Sequence, residues 1–516
     1  MNIIQHVSRH VHAMPDKVAV HVGGRQYSYR QLFERTGGMH ALLRDMGVVE
    51  GDCVLVALDN GIEFVETILA AAALGAMVAP VPTTSPPTAL QSIMRATGAR
   101  HLVAGCVPVR RLLEVADIDA ARVLIVGTPL DGCRNHAESA KANPLVPCNI
   151  DPNSDFLLTM TSGSTGTPKP IVLTQAGKIR RAFEGARDLY GLGTDDVVIA
   201  ATPMYHSLGF RLALMPLLLG ATSVVMPAFT PRAYIEAVDR HKVTFSILVS
   251  SQIESVLDDI AHGSRGLASL KTLVSSSALL RPEVKTRCLQ QLDCAFHECY
   301  GASEVGIVTD LGPCDAGEHQ GSVGRALDYV DLKIFDQNAN ELPVGQVGEI
   351  CCRTTTLFDG YYRQPAATAA SMWDRYFLTG DLGYVDEEGY LYLAGRKKDI
   401  IIVGGANVYP DDVEQVLRTA PGVGDCAVIG VADDYFGEAV LACIVTSSDD
   451  ADPRTIQAYC IERLADYQVP QAYEFVDQLP RTSLGKIRRQ ALRERFDGYD
   501  ATARLRQLRH AIQHRA

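Results

Sequence analysis

Helix-period and strand-like runs alternate along residues 28–310, and this alternation constrains the fold more than any other feature of the chain. Leu32, Phe33, Met39 and Leu42 recur at helical intervals, and Cys53-Val54-Leu55-Val56-Ala57 then forms an unbroken apolar strand. Further strand-like runs are Val224-Val225-Met226, shortly after Gly220, and residues 244–249. Apolar runs without polar alternation suit strands buried on both faces, so a parallel or mixed sheet covered by helices is expected. From Gly321 to Gly395 the texture changes to short β-rich runs at 331–335, 348–350 and 390–393, separated by Gly, Asp and Asn turns. This predicts a small antiparallel subdomain. After Gly395-Arg396-Lys397-Lys398-Asp399 a second α/β unit begins, with helices near 411–419 and 453–466 and strands near 425–431 and 439–446. The expectation is an α/β chain with a large domain over 1–395, including the β-rich part at about 321–395, and a small domain over 396–516.

Composition narrows the class. With 47% hydrophobic and 21% charged residues, the 516-residue chain has an ordinary globular balance. Lys plus Arg number 48 against 60 Asp plus Glu, a net charge of −12, which argues against nucleic acid or an anionic membrane as partner. The charge is uneven: from Arg481 onward ten Lys/Arg face three Asp/Glu, so this tail carries +7 and the first 480 residues −19. None of the 13 cysteines forms a C-x-x-C pair, and reduced, buried thiols of a cytoplasmic protein are expected. The first residues lack the apolar core of a signal peptide. The apolar stretches 68–82 and 212–229 read as buried helix or strand segments, the second being interrupted by Pro216 and Gly220, so no membrane span is expected.

The strongest local signal is Thr161-Ser162-Gly163-Ser164-Thr165-Gly166-Thr167-Pro168-Lys169, directly after an apolar run at Phe156-Leu157-Leu158. Glycines let a backbone turn tightly with its N–H groups facing an anion, and hydroxyls and a lysine add donors. This is a phosphate-binding pattern, but not G-x-x-x-x-G-K-[ST], because Gly177-Lys178 and Gly485-Lys486 are both followed by Ile. There is no G-x-G-x-x-G. Gly301-Ala302-Ser303-Glu304-Val305 misses G-x-S-x-G at its last position, which weighs against a hydrolase.

Six segments then appear in one order: the phosphate loop, Pro203-Met204-Tyr205-His206, Tyr300-Gly301-Ala302-Ser303-Glu304, Thr379-Gly380-Asp381, Gly395-Arg396-Lys397-Lys398-Asp399 and Leu484-Gly485-Lys486. Together they resemble the adenylate-forming superfamily of acyl- and aryl-CoA synthetases, peptide-synthetase adenylation domains and luciferases. The likeness is dense over about 155–490 and sparser over 15–85. It implies that a carboxylate attacks the α-phosphate of ATP to form an acyl-adenylate and pyrophosphate, and that a thiol then displaces AMP. It also implies that Thr161, Ser162, Gly163, Ser164, Thr165, Gly166 and Lys169 hold the β- and γ-phosphates, and that Glu304 ligates Mg²⁺. Ser303 would contact the α-phosphate, with Tyr300 and Gly301 near the adenine and Ser276-Ser277-Ala278 standing where the family commonly has Gly-Gly-Ala. Asp381 would accept from the ribose hydroxyls with Arg396 close by, and Lys486 would bridge the substrate carboxylate and α-phosphate. His206 would stand where the acyl and thiol sites join, unless it is simply a structural histidine. Lys398 would be the hinge about which the small domain rotates between half-reactions. Three departures bear on pocket shape: Ser276-Ser277-Ala278 in place of Gly-Gly-Ala, Pro170 in place of the usual Gly after Pro-Lys, and Ser303 in place of the commoner Thr.

No Asp or Glu lies between Pro203 and Phe229. A substrate ammonium would need a carboxylate there, because a buried charge must be paired, so an acid without an α-amine is expected. Leu208, Phe210, Leu212, Ile247, Leu248 and Ile307 suit an acyl or aryl group or plain core, and Arg211 is the single charge of the stretch. Gly404-Gly405-Ala406-Asn407 would line the thiol tunnel for CoA or for the phosphopantetheine of an acyl or peptidyl carrier protein. A non-catalytic adenylate-binding protein would be expected to lack Lys486, Glu304 or Asp381, and all three are present.

Overall fold

The computed structural model describes residues 1–499, leaving aside 106–108, 111–112, 114–117, 142–144, 146–148, 162–168, 264–266, 279, 405, 434–435, 448–450 and 483–484. Two compact units result. The first holds Met1–Gln320, Leu327–Asp331 and Arg353–Phe377, and the second Gly321–Ala326, Leu332–Cys352 and Leu378–Ala516.

In the first unit the strands are β1 (Val18–Val22), β2 (Arg25–Ser28), β3 (Cys53–Ala57), β4 (Met77–Pro80), β5 (His101–Gly105), β6 (Val123–Val126), β7 (Arg134–Asn135) and β8 (Asp155–Thr161). They continue with β9 (Lys169–Thr174), β10 (Val197–Ala200), β11 (Thr222–Val225), β12 (Phe245–Val249), β13 (Thr272–Ser276), β14 (Ala295–Ala302) and β15 (Gly306–Leu311). One mixed sheet runs β9-β8-β4-β3-β5-β6-β7, and Gly360–Tyr361 pairs antiparallel on β9. The other runs β15-β14-β13-β12-β10-β11-β1-β2, parallel from β14 to β1 and antiparallel at β14–β15 and β1–β2. Every residue of β3 and β12 is buried, Ser246 of β12 included, as expected of strands covered on both faces. The helix Ile62–Leu74 is buried almost all round and ends on Gly75 in the left-handed conformation (φ 68°), a glycine C-cap.

The second unit contains the expected antiparallel pairing, Asp381–Val385 against Leu391–Arg396. Beyond it lie the helix Pro410–Arg418, the antiparallel pair Val423–Asp433 and Gly437–Thr446, and Ala472–Phe475 parallel to the latter. Ile401, Val413, Leu417, Val428, Val440 and Ile444 form its core. The helix expected over 453–466 stops at Ile461, because Leu464 and Val469 turn back onto that core and carry the chain off the helix axis. No helix among the described residues is long and apolar enough to cross a membrane, and the described cysteines are free thiols. The basic tail is described only as far as residue 499, and Leu505, Leu508 and Ile512, whose helical spacing predicts a packed terminal helix, lie outside the described residues.

Candidate active site

Strands β14, β13, β12 and β10 lie side by side and run the same way, so their carboxyl ends share one edge. Open α/β sheets bind ligands at that edge. From β10 the chain passes through Pro203-Met204-Tyr205-His206 into the helix Ser207–Leu219, and β12 is followed by Ser250. β13 ends in Ser276 with Ser277-Ala278 beyond it, and β14 ends at Ala302 before Ser303-Glu304. Segments far apart in sequence therefore meet at one place.

Close backbone approaches shape this edge. A Cβ on Gly301 would lie 2.0 Å from the Gly306 carbonyl oxygen across the β14–β15 turn, and one on Gly209 would lie 2.3 Å from that of Pro203. Neither position accepts a larger residue without moving the motif beside it. Ser277 sits in the left-handed region (φ 72°), where a non-glycine residue costs about 1–2 kcal/mol. The next residue is pinned, since the Ser250 hydroxyl donates to the Ala278 carbonyl at 2.7 Å. Beneath this turn the Glu298 carboxylate accepts from the Leu280 N–H at 3.3 Å and pairs with Lys285 at 2.6 Å, both side chains being almost fully buried. Burial raises the Glu298 carboxyl, with Lys285 opposing. Lys285→Met strands that acid and is expected to lower unfolding stability by about 3–5 kcal/mol in urea titrations at neutral pH. Adding Glu298→Gln should recover part of the loss, and a Lys285→Met protein as stable as wild type would refute a supporting role for the pair.

Glu304 is held from three sides. The buried Arg181 guanidinium, on the helix Gln175–Ala182, donates to the carbonyls of Ser303 (2.8 Å), Glu304 (2.8 Å) and Thr356 (2.9 and 2.7 Å). The Phe358 N–H also donates to the Glu304 carbonyl at 2.6 Å. The Tyr361 hydroxyl donates to the Glu304 carboxylate at 3.2 Å, and burial followed by Glu304 itself raises that phenol, so it stays protonated. Lys169 Nζ lies 5.8 Å from the Tyr361 ring centroid. Thr161 closes β8 and Lys169 opens β9 as paired residues, so the phosphate motif connects two neighbouring antiparallel strands. Ser162, Gly163, Ser164, Thr165 and Gly166 themselves lie outside the described residues.

His206 caps the helix Ser207–Leu219 with extended backbone, its ring 4.4 Å from that of Tyr205. Burial lowers its imidazole to about 4, so it is neutral at physiological pH. Tyr300 is buried, Ser303 half-buried and Gly301 exposed. Among the expected acyl-pocket residues, Leu208 alone keeps partial exposure. Phe210 packs edge-on against Phe156, and Phe210, Leu212, Ile247, Leu248 and Ile307 are all buried.

In the second unit Asp381 and Arg396 are cross-strand partners, joined by an ion pair of 3.1 Å. The Thr379 hydroxyl donates to the Ile350 carbonyl and accepts from the Asp381 N–H. Glu349 accepts from the Gly380 N–H at 3.1 Å and from Lys397 at 2.8 Å. Asp399 is buried and pairs with Arg493 at 3.0 Å. Lys398 is exposed between these two anchored residues and makes no hydrogen bond or ion pair among the described residues. Lys486 stands on a turn in which its N–H donates to the Thr482 hydroxyl at 3.1 Å and its carbonyl accepts from the Thr482 N–H at 2.8 Å. Partial withdrawal from solvent lowers its ammonium, Arg396 lowers it further and Asp381 opposes, so the three groups share one electrostatic field.

The AMP-binding enzyme family matches residues 7–362, and the AMP-binding enzyme C-terminal domain matches residues 412–486. The chain belongs to the adenylate-forming enzymes. It is 32% identical to the indoleacetate–CoA ligase of Aromatoleum aromaticum, over 96% of this chain and 98% of that one. It is 30% identical to the fatty acid–[acyl-carrier-protein] ligase ScoC of Streptomyces coeruleorubidus, over 97% of each. The solved structure of ATP-bound MatB from Rhodopseudomonas palustris matches with a TM-score of 0.87 at 27% identity, covering 96% of this chain and 99% of that one. As an adenylate-forming enzyme the chain is an AMP-forming acid–thiol ligase, which couples ATP-dependent adenylation of an acid to thioester formation.

Three supports of this adenylate-forming enzyme have no signal in its sequence: Arg181, Tyr361 and Glu349. Arg181 follows Lys178-Ile179-Arg180 on a helix, a pattern that reads as a solvated face. Tyr361 and Glu349 stand in ordinary β-rich surroundings, and only the fold brings them to Glu304 and Gly380.

Proposed function

We propose that this enzyme activates an acyl or aryl carboxylic acid lacking an α-amine and transfers it to CoA. The supporting observation is the common strand edge that carries His206, Ser276–Ala278 and Tyr300–Glu304, with no acid between Pro203 and Phe229 to hold a substrate ammonium. The CoA ligases among the relatives favour CoA as acceptor, and the carrier-protein ligase keeps phosphopantetheine as the alternative.

In the first half-reaction a substrate carboxylate oxygen attacks the α-phosphorus and pyrophosphate leaves. Little covalent chemistry falls to the protein, so catalysis rests on positioning and charge neutralisation. Thr161–Lys169 holds the β- and γ-phosphates, Ser303 donates to the α-phosphate, and Lys486 lies against the oxygens whose charge grows. The Asp381 carboxylate, acceptor-only with two oxygens, takes both ribose hydroxyls beside Arg396. The Glu304 carboxylate is a hard oxygen donor steadied by Tyr361, and it would hold a Mg²⁺. When bound, that ion neutralises phosphate charge. The neutral His206 ring separates the acyl and thiol sites without adding charge to either.

For the second half-reaction the chain turns at Lys398. Lys397 stays tied to Glu349 and Asp399 to Arg493, so a rotation between them breaks neither pair. Lys398→Pro, which locks φ near −65°, is expected to keep adenylation and slow thioester formation at least about tenfold. Unchanged thioester formation would count against the hinge. The overall reading is tested by ATP–pyrophosphate exchange across a panel of acids, then by comparing CoA with a phosphopantetheinylated carrier protein as acceptor. Exchange with none of the acids overturns the proposal, and loading of the carrier protein alone overturns the acceptor.

A further inference from the structure

Between the helices Gln175–Ala182 and Ser207–Leu219 lies a small cavity lined by Lys178, Arg181, Ala182, Arg211, Leu214, Met215 and Leu218, with room for about one water-sized occupant. Three of these seven residues are cationic and none is acidic. Lys178 is 4% exposed and Arg181 7%. The Lys178 ammonium sits 4.9 Å from the Phe210 ring centroid and makes no hydrogen bond or ion pair among the described residues. Burial pushes it well below the usual lysine value, Arg181 and Arg211 push it further, and no carboxylate opposes them. Arg211 donates from Nη2 to the Gly185 carbonyl, but its Nε–H is buried without a partner. Arg181 spends its donors on the carbonyls of Ser303, Glu304 and Thr356, which neutralise no charge.

An unpaired buried cation is among the costliest arrangements a protein can hold, and an unbonded buried N–H adds to it. A water molecule could satisfy the N–H groups but would leave the positive charge. A single negative ion answers both demands. We propose that this cavity is a binding site for a small monovalent anion of chloride or bromide size, held by the Lys178 ammonium and the Arg211 Nε–H. The anion keeps Lys178 charged and ties the two helices together. Because Arg181 borders the cavity, the ion also steadies the grip of Arg181 on the Ser303–Glu304 turn. The site is independent of which acid the enzyme activates.

Thermal unfolding of the full chain, with sodium chloride exchanged for sodium gluconate at constant ionic strength, tests the site. A ligand that binds only the folded state raises Tm saturably, here by about 1–3 °C at concentrations well above Kd. Wild type should show that rise, and Lys178→Met should lose it. An equal Tm in chloride and gluconate would overturn the proposal, as would a chloride-specific rise that persists in Lys178→Met. Should Lys178→Met fail to fold, bromide-soaked wild-type crystals give a separate answer. An anomalous peak within hydrogen-bond distance of Lys178 Nζ and Arg211 Nε supports the site, and a cavity without one refutes it.

Discussion

Lys486→Ala is expected to lower ATP-dependent acyl-adenylate formation by about a hundred- to a thousandfold, the range for removing one charge-stabilising donor from a transition state. Thioester formation from supplied acyl-adenylate should stay within about threefold of wild type, because the rotation proposed at Lys398 takes Lys486 out of the site before the thiol displaces AMP. The split follows from where the lysine stands. Its turn is braced by Thr482, and its ammonium shares a field with Arg396 and Asp381, the pair proposed to face the nucleotide. Pyrophosphate exchange measures the first step, and CoA thioester yield from synthetic acyl-adenylate measures the second. Equal loss in both assays would remove the division of labour from Lys486. Lys486→Arg separates charge from shape: it keeps the charge but replaces a compact ammonium with a planar fork. It should restore only part of the first step.

Arg181→Lys carries the second largest effect. One guanidinium makes four hydrogen bonds to three carbonyls in a geometry that a lysine ammonium cannot reproduce. Burial first and Arg211 next lower the arginine to about 10, with Glu304 and Asp359 opposing, so it remains charged at neutral pH. Each carbonyl left without a partner costs about 1–3 kcal/mol, and Phe358 still serves that of Glu304, so a stability loss of about 2–4 kcal/mol is expected. The functional consequence is specific. With the Ser303–Glu304 turn loosened, KM for MgATP should rise about tenfold or more while kcat at saturating MgATP falls less. Urea unfolding gives the stability and initial rates give the kinetic split. A variant that loses stability but keeps the wild-type KM for MgATP would make Arg181 structural and nothing more.

The parts of the site that were legible in the sequence are those whose chemistry is local. The Gly/Ser/Thr loop ending in lysine is readable from residue type and spacing, whereas Glu304 after Tyr-Gly-Ala-Ser and Lys486 after Leu-Gly gain their roles only from the ordered set of motifs and the family it resembles. The alternation of apolar runs likewise revealed helix-covered sheets, since strands buried on both faces are predominantly apolar, with few polar residues such as Ser246 and Ser275 among them. The acyl pocket was less legible. Phe210 and Ile307 are as apolar as any pocket residue, and apolar character cannot distinguish a wall facing substrate from one facing the core; the fold buries both.

By itself, then, the sequence determined the fold class, the phosphate loop and the order of the motifs, because hydrophobic period and side-chain type act within a few residues of the chain, and the chemistry of the other motifs followed from the family that their order resembles. Tertiary structure alone decided that four strand ends share one edge, and that Arg181 and Tyr361 hold Glu304. It also decided that Lys398 lies between two anchored ion pairs and that three cations surround one cavity. Each of these depends on hydrogen bonds and charge between residues distant in sequence, where distance, burial and partner set the energy and residue type alone does not.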